Sequence, residues 1–183
     1  MQKLIRAAIG SIALMLAAMP AAAQAESWQC APFARIFSGI QLFGDAYSWW
    51  QKAAGKYDRG GSPKEGAVLV FKASGPMRVG HVATVSKIIS ERVVKVTHAN
   101  WSIINGRRGQ VERDVTVTDV SPNNDWSQVK VWYAPIKGLG LRAYPVYGFI
   151  YGAGAKLAQA GAAMADAGGD VLTLKKPLEI AAN

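Results

Sequence analysis

The sequence predicts an α+β domain in which N-terminal helices pack on an antiparallel β-sheet. Apolar residues recur at helical spacing between residues 30 and 54. From residue 67 to residue 135 the period changes to that of strands, and the runs are closely spaced, joined by Gly, Asn and Ser-Pro signals. Helices first and closely spaced strands after them is the order of an α+β fold with an antiparallel sheet.

Residues 1–25 read as an export signal. Lys3 and Arg6 form a positive start, residues 7–19 are an apolar run too short to span a bilayer comfortably, and Ala23-Gln24-Ala25 gives the small-x-small cleavage pattern that leaves Glu26 as the mature N-terminus. A lipidated cysteine is rejected, because Trp28 and Gln29 stand where lipidation needs small residues. The first helix begins at Cys30, with Cys30, Ala34 and Phe37 on one face and Pro32 in the first turn, where its missing N–H costs nothing. Asp45 is an N-cap for a second helix from Ala46 to Ala54, closed by Gly55 and carrying Trp49 and Trp50. Residues 55–65 are a loop by composition. Strands follow at Ala67–Phe71, Val79–Ile89, Arg92–Thr97, Gln110–Val117 and Gln128–Pro135, with His81, Ala83 and Val85 on one face of the second and Val82 and Thr84 on the other. Residues 26–151 make one domain, and 152–183 form a Gly/Ala-rich tail with a weak helical stripe at Leu157, Ala160 and Met164.

Export places the protein in the periplasm or outside the cell, and makes its cysteine informative. There is one cysteine in 183 residues. In an oxidising compartment paired thiols become disulfides, so a lone exported thiol stands for an intermolecular bridge, tolerated burial or chemistry. The net charge of +9 favours anionic polymers such as cell-wall glycan-peptides, or lipid surfaces. No nucleic-acid partner is expected, since no basic stripe with interleaved aromatics occurs and Arg107-Arg108 reads as a solvated pair. Once the signal is cleaved, no stable membrane insertion is expected. The oligomeric state is not legible.

Cys30 at a helix N-terminus meets free N–H groups and a dipole that favour the thiolate. A thiol nucleophile needs a base within reach, and the base needs a third group to orient it. The chain has two histidines, His81 on a strand and His98 where the next strand ends. Neighbouring antiparallel strands would bring His81 beside His98 or Asn100, which are two apart and so share a face. The bland readings are a buried hydrophobic thiol, a satisfied strand histidine and a turn-forming asparagine. Zinc on Cys30, His81 and His98 fits poorly, with widely spaced ligands and no fourth. No metal or organic cofactor is expected.

Trp28-Gln29-Cys30 opening a helix, Gly44-Asp45-Ala46 with Trp49-Trp50, the run Pro63 to Phe71, Gly80-His81-Val82-Ala83 and His98-Ala99-Asn100-Trp101 occur in that order. Over residues 26–136 this pattern closely resembles the CHAP family, the cysteine, histidine-dependent amidohydrolases/peptidases of cell-wall metabolism. The resemblance implies a papain-like fold, Cys30 as nucleophile, His81 as general base, and cleavage of amide bonds in peptidoglycan. It departs from the family where the block often reads Glu-x-Asn and this chain has His98-Ala99-Asn100, which leaves the third member open between His98 and Asn100. The expected chemistry is acyl transfer through a thioester. The Cys30 N–H donates to the oxyanion, Gln29 either helps it or shapes the site, and Trp49, Trp50 and Trp101 are candidate groove walls. If His98 orients the base, acid should charge both histidines and steepen the acid limb of the rate profile. The rival is an envelope-binding module of the same fold that is catalytically weak or inactive.

Overall fold

The computed structural model describes residues 27–154. The expected export signal, its cleavage site and the tail beyond residue 154 lie outside the described residues. Helix α1 (Cys30–Ser38) begins at the cysteine and ends at Gly39, whose N–H donates to the Arg35 carbonyl. A 3₁₀ turn at Ala46–Ser48 runs into α2 (Trp49–Lys52), so the expected nine-residue helix is broken into two short turns. Asp45 precedes them without a side-chain capping bond.

Eight strands follow: β1 (Asp58–Gly60), β2 (Val68–Phe71), β3 (His81–Ser90), β4 (Val93–Ala99), β5 (Val111–Asp119), β6 (Gln128–Tyr133), β7 (Gly138–Leu139) and β8 (Tyr144–Tyr151). Strands β2 to β6 pair with their sequence neighbours, all antiparallel. Strand β8 then pairs with β2 through Leu69↔Phe149 and with β6 through Val129↔Tyr144. Six strands thereby close into a barrel in the order β8-β2-β3-β4-β5-β6, with β1 and β7 as marginal additions.

This overturns the expected α+β, papain-like fold of helices packed on an antiparallel sheet. The described chain is mostly β, and α1 and α2 together are too short to cover a sheet. Closure removes the two open edges that β2 and β6 would otherwise present, each a row of unpaired N–H and C=O groups. The strand that closes the barrel carries Pro145 and Gly148, two residues that argue against a strand when read along the chain.

The barrel face of the strands is the larger core. Leu69, Ala83, Val85, Val96, Val117 and Phe149 are all at most 1% exposed there. On the opposite side Val68, Val70 and Val82 meet Ala34, Ile40 and Trp49. Strand β2 is thus buried on both faces, which explains its unbroken run Val68-Leu69-Val70-Phe71. Each such side chain stabilises the fold by about 1.5–3 kcal/mol through burial. Helix α1 lies against β3 and β4 and so carries its first residue to one mouth of the barrel. Among the described residues no helix is long and apolar enough to cross a membrane.

Candidate active site

The segment leading into α1 is tied down before the cysteine is reached. The Trp28 N–H donates to the Gly109 carbonyl at 2.9 Å, which fastens residues 27–29 to the connection between β4 and β5. Gly109 has φ 103, and a Cβ there would meet the Ser27 side chain at 2.3 Å, so the close approach requires glycine. Gln29 is the extended N-cap residue, and its carbonyl accepts from the Phe33 N–H at 3.1 Å. Pro32 falls in the first turn. Cys30 is the first helical residue and half-buried. Burial raises its thiol pKa, and hydrogen bonds from the N–H groups of Val82, Ala31 and Cys30 itself oppose that rise. Burial is the larger effect, so the depressed thiol expected from the helix terminus alone is corrected: the resting sulfur is held as a thiol.

His81 opens β3, paired with Phe71 of β2. The residue before it, Gly80, has φ 69, and a Cβ there would lie 2.8 Å from the Phe71 carbonyl oxygen and from the Tyr47 nitrogen. Only glycine lets the chain turn into β3 this close to its neighbours. The His81 ring then points to the barrel side and packs 4.9 Å from Trp101 and 5.4 Å from Phe71, centroid to centroid. Its Nε2 lies 3.0 Å from Nδ1 of His98, which leaves Nδ1 of His81 as the ring nitrogen not engaged with His98. His98 is 1% exposed and its far nitrogen, Nε2, is buried without a partner. Burial lowers His98 to about 3. Burial also lowers His81 well below the ordinary histidine value, and repulsion from a protonated His98 and from the Arg108 guanidinium acts in the same direction. Both rings are therefore neutral near neutral pH.

Asn100 does not join this pair. Strand β4 ends at Ala99, and Asn100 takes a left-handed φ of 66, a conformation asparagine tolerates better than most residues. The turn breaks the alternation that would have put His98 and Asn100 on one face. Asn100 Nδ2 instead donates to Gln29 Oε1 at 2.7 Å. That bond occupies the oxygen end of the Gln29 amide and leaves its NH₂ end for the cleft.

Cys30, Gln29, His81, Asn100 and Trp101 all line one cleft of about 490 Å³. Trp49 does not, and its expected place in the groove is corrected: it is fully buried beneath α1, with Nε1 donating to the Gly44 carbonyl. Trp50 stacks on Tyr147 away from this cleft. Sequence reading missed Tyr133, Tyr144, Arg78 and Arg108, which also line it. The tyrosines arrive from β6 and β8, so only barrel closure brings them here. Arg108 was expected to be solvated; its Nη1 donates to the Trp101 carbonyl at the cleft edge. Among the described residues no cluster of three or more His, Cys, Asp or Glu is placed to hold a metal ion.

The family model for the CHAP domain matches residues 21–100, a span that includes Gln29, Cys30, His81, His98 and Asn100. Over that span the chain is similar to the CHAP domain. CHAP domains are hydrolase-associated, and the match points to a peptidoglycan hydrolase-like amidase or peptidase. No curated protein matches the chain. The CHAP match ends at residue 100, whereas the motifs resemble the family as far as residue 136; strands β5, β6 and β8, which complete the barrel, lie beyond it.

Proposed function

We propose that the protein is an exported cysteine hydrolase that cuts an amide bond of peptidoglycan through a thioester on Cys30. The observation that carries this reading is the His81 Nε2 to His98 Nδ1 contact of 3.0 Å in the cleft that Cys30 lines. In this reading His98 Nδ1 accepts from His81 Nε2–H, the tautomer that leaves His81 Nδ1 bare to serve Cys30, which lines the same cleft. That nitrogen takes the Cys30 proton as sulfur attacks the carbonyl carbon. Because both groups are neutral at rest, transfer accompanies attack rather than preceding it. The oxyanion is met by the Cys30 N–H and by the Gln29 amide that Asn100 orients; one such donor contributes about 3 kcal/mol. As the C–N bond breaks, His81 returns its proton to the leaving amine. It then takes a proton from water, which attacks the thioester and releases the acid and the Cys30 thiol.

A neutral His98 stabilises the transient His81 imidazolium less than a carboxylate would, but a buried carboxylate at that place would itself cost more to desolvate. Mass spectrometry of purified peptidoglycan digested with the parent and with Cys30→Ser tests the reading. The parent should release fragments with one new amine and one new carboxyl per cut. Cys30→Ser should release none while unfolding at nearly the parent's temperature. Activity retained in Cys30→Ser, with stability lowered by the buried hydroxyl, would mark Cys30 as a core residue and the reading as wrong.

A further inference from the structure

The charge of the cleft carries information about the substrate that the thiol and the histidines do not. Two guanidinium groups, Arg78 and Arg108, line it, and among the described residues no Asp or Glu does. An enzyme site without acidic groups repels cations and concentrates anions. The two arginines differ in how they are held. Arg108 donates through Nη1 to the Trp101 carbonyl, which anchors one end of its fork at the cleft edge; its remaining N–H groups make no other hydrogen bond among the described residues. Arg78 lies on the exposed approach to Gly80 and His81 and makes no hydrogen bond or ion pair among the described residues. A planar, anchored guanidinium matches a carboxylate with two parallel N–H···O bonds, and a second arginine on the rim adds charge and steering.

We propose that Arg108, with Arg78, reads a free carboxylate on the peptide being cut, so that the substrate is an acidic peptide stem with that carboxylate within about one residue of the scissile amide, a reach that suits a cleft of ordinary ligand size. This rests on the hydrolase reading above and narrows it. The polymer's sugars are neutral along the chain, whereas a carboxylate on the stem travels with the amide itself. The position of Arg108 has a second consequence. Its charge is one of the influences that hold His81 down. A substrate carboxylate seated on Arg108 offsets that charge and makes His81 a better base when the correct substrate is bound, so discrimination should show in kcat as well as in KM.

The test uses two synthetic stem peptides that differ only in one group, a free glutamyl carboxylate against its carboxamide. Hydrolysis by the parent is followed by mass spectrometry, and binding to Cys30→Ala is followed by titration calorimetry. The acid peptide should be cut with a kcat/KM about 10–100-fold above the amide, the range for a lost charge-assisted pair. That ratio should fall close to one in Arg78→Gln/Arg108→Gln. Arg78→Gln alone, at an exposed position, should lower it part of the way, so the result does not depend on the double variant folding. Equal handling of the two peptides by the parent, in turnover and in binding, overturns the proposal, and so does a preference that survives removal of both arginines. If neither peptide is cut yet Cys30→Ala binds the acid form preferentially, the carboxylate site stands and the hydrolase reading fails.

Discussion

Acid should destabilise this protein through its buried histidines, and His98 sets the scale of the effect. The ring is 1% exposed, and burial lowers its pKa to about 3. In the unfolded chain the same ring protonates below its ordinary value of about 6.5. Between those two values the unfolded state binds more protons than the native state. Stability is therefore intact above about pH 6.5 and is lost progressively as pH falls toward the folded value of about 3. Each unit below the unfolded pKa costs about 1.4 kcal/mol, so a change from about pH 7 to about pH 5 costs roughly 2 kcal/mol through His98 alone. His81 is lowered in the same direction and adds a loss of the same sign. Against a typical stability of about 5–15 kcal/mol this is a large fraction. Urea unfolding followed by tryptophan fluorescence, at about pH 7, 6 and 5, measures it in the parent and in His98→Gln. The variant should lose about 2 kcal/mol less over that range, whatever its stability at the starting pH. Equal pH dependence in the two proteins, or an NMR titration of His98 near its ordinary value, would refute the reasoning.

Four further outcomes follow from the site. His98→Ala should lower kcat about 100-fold or more by freeing His81, and His98→Glu should restore part of it, whereas Asn100→Ala only loosens the Gln29 amide and should cost less than His98→Ala and less than the roughly 100–1,000-fold loss of a whole oxyanion donor; pH–rate profiles of the set decide this, and a silent His98→Ala would return the third place to Asn100. In the same profiles the parent's acid limb should have the slope of one titration, because His98 does not charge until about 3, which replaces the steep limb expected from the sequence. Iodoacetamide should alkylate Cys30 slowly near neutral pH and faster above about pH 9, since burial raises the thiol; a rate plateau near neutrality would mean a preformed ion pair. Gly80→Ala, read by thermal unfolding and by kcat, should lose about 1–3 kcal/mol from strain at positive φ and shift His81, so that activity falls further than stability explains.

Much of the secondary structure, and the candidate residues that meet at the cleft, were legible along the chain because their signals are local. A helix begins at Cys30 because Gln29 is extended, Pro32 suits a first turn and Phe33 and Ala34 supply the buried face. Five strands were visible because alternation, or the unbroken run of β2, records which faces are buried, and their ends fell within a few residues of those observed. The lone thiol and the two histidines stood out by rarity alone. What the sequence could not decide was anything set by closure. Strand β8 is disguised by Pro145 and Gly148, and its pairing with both β2 and β6 is a long-range event that turns an expected sheet into a barrel. The same closure delivers Tyr133 and Tyr144 to the cleft, and the folded-back connection after β4 delivers Arg108. Which of His98 and Asn100 lies beside His81 likewise turned on one backbone torsion: the left-handed turn at Asn100 sends its amide to Gln29, while His98 lies within hydrogen-bond distance of His81. Burial, which no single position announces, then sets the charge states: it raises the thiol and lowers both histidines, against what a helix terminus and a free imidazole suggest by themselves.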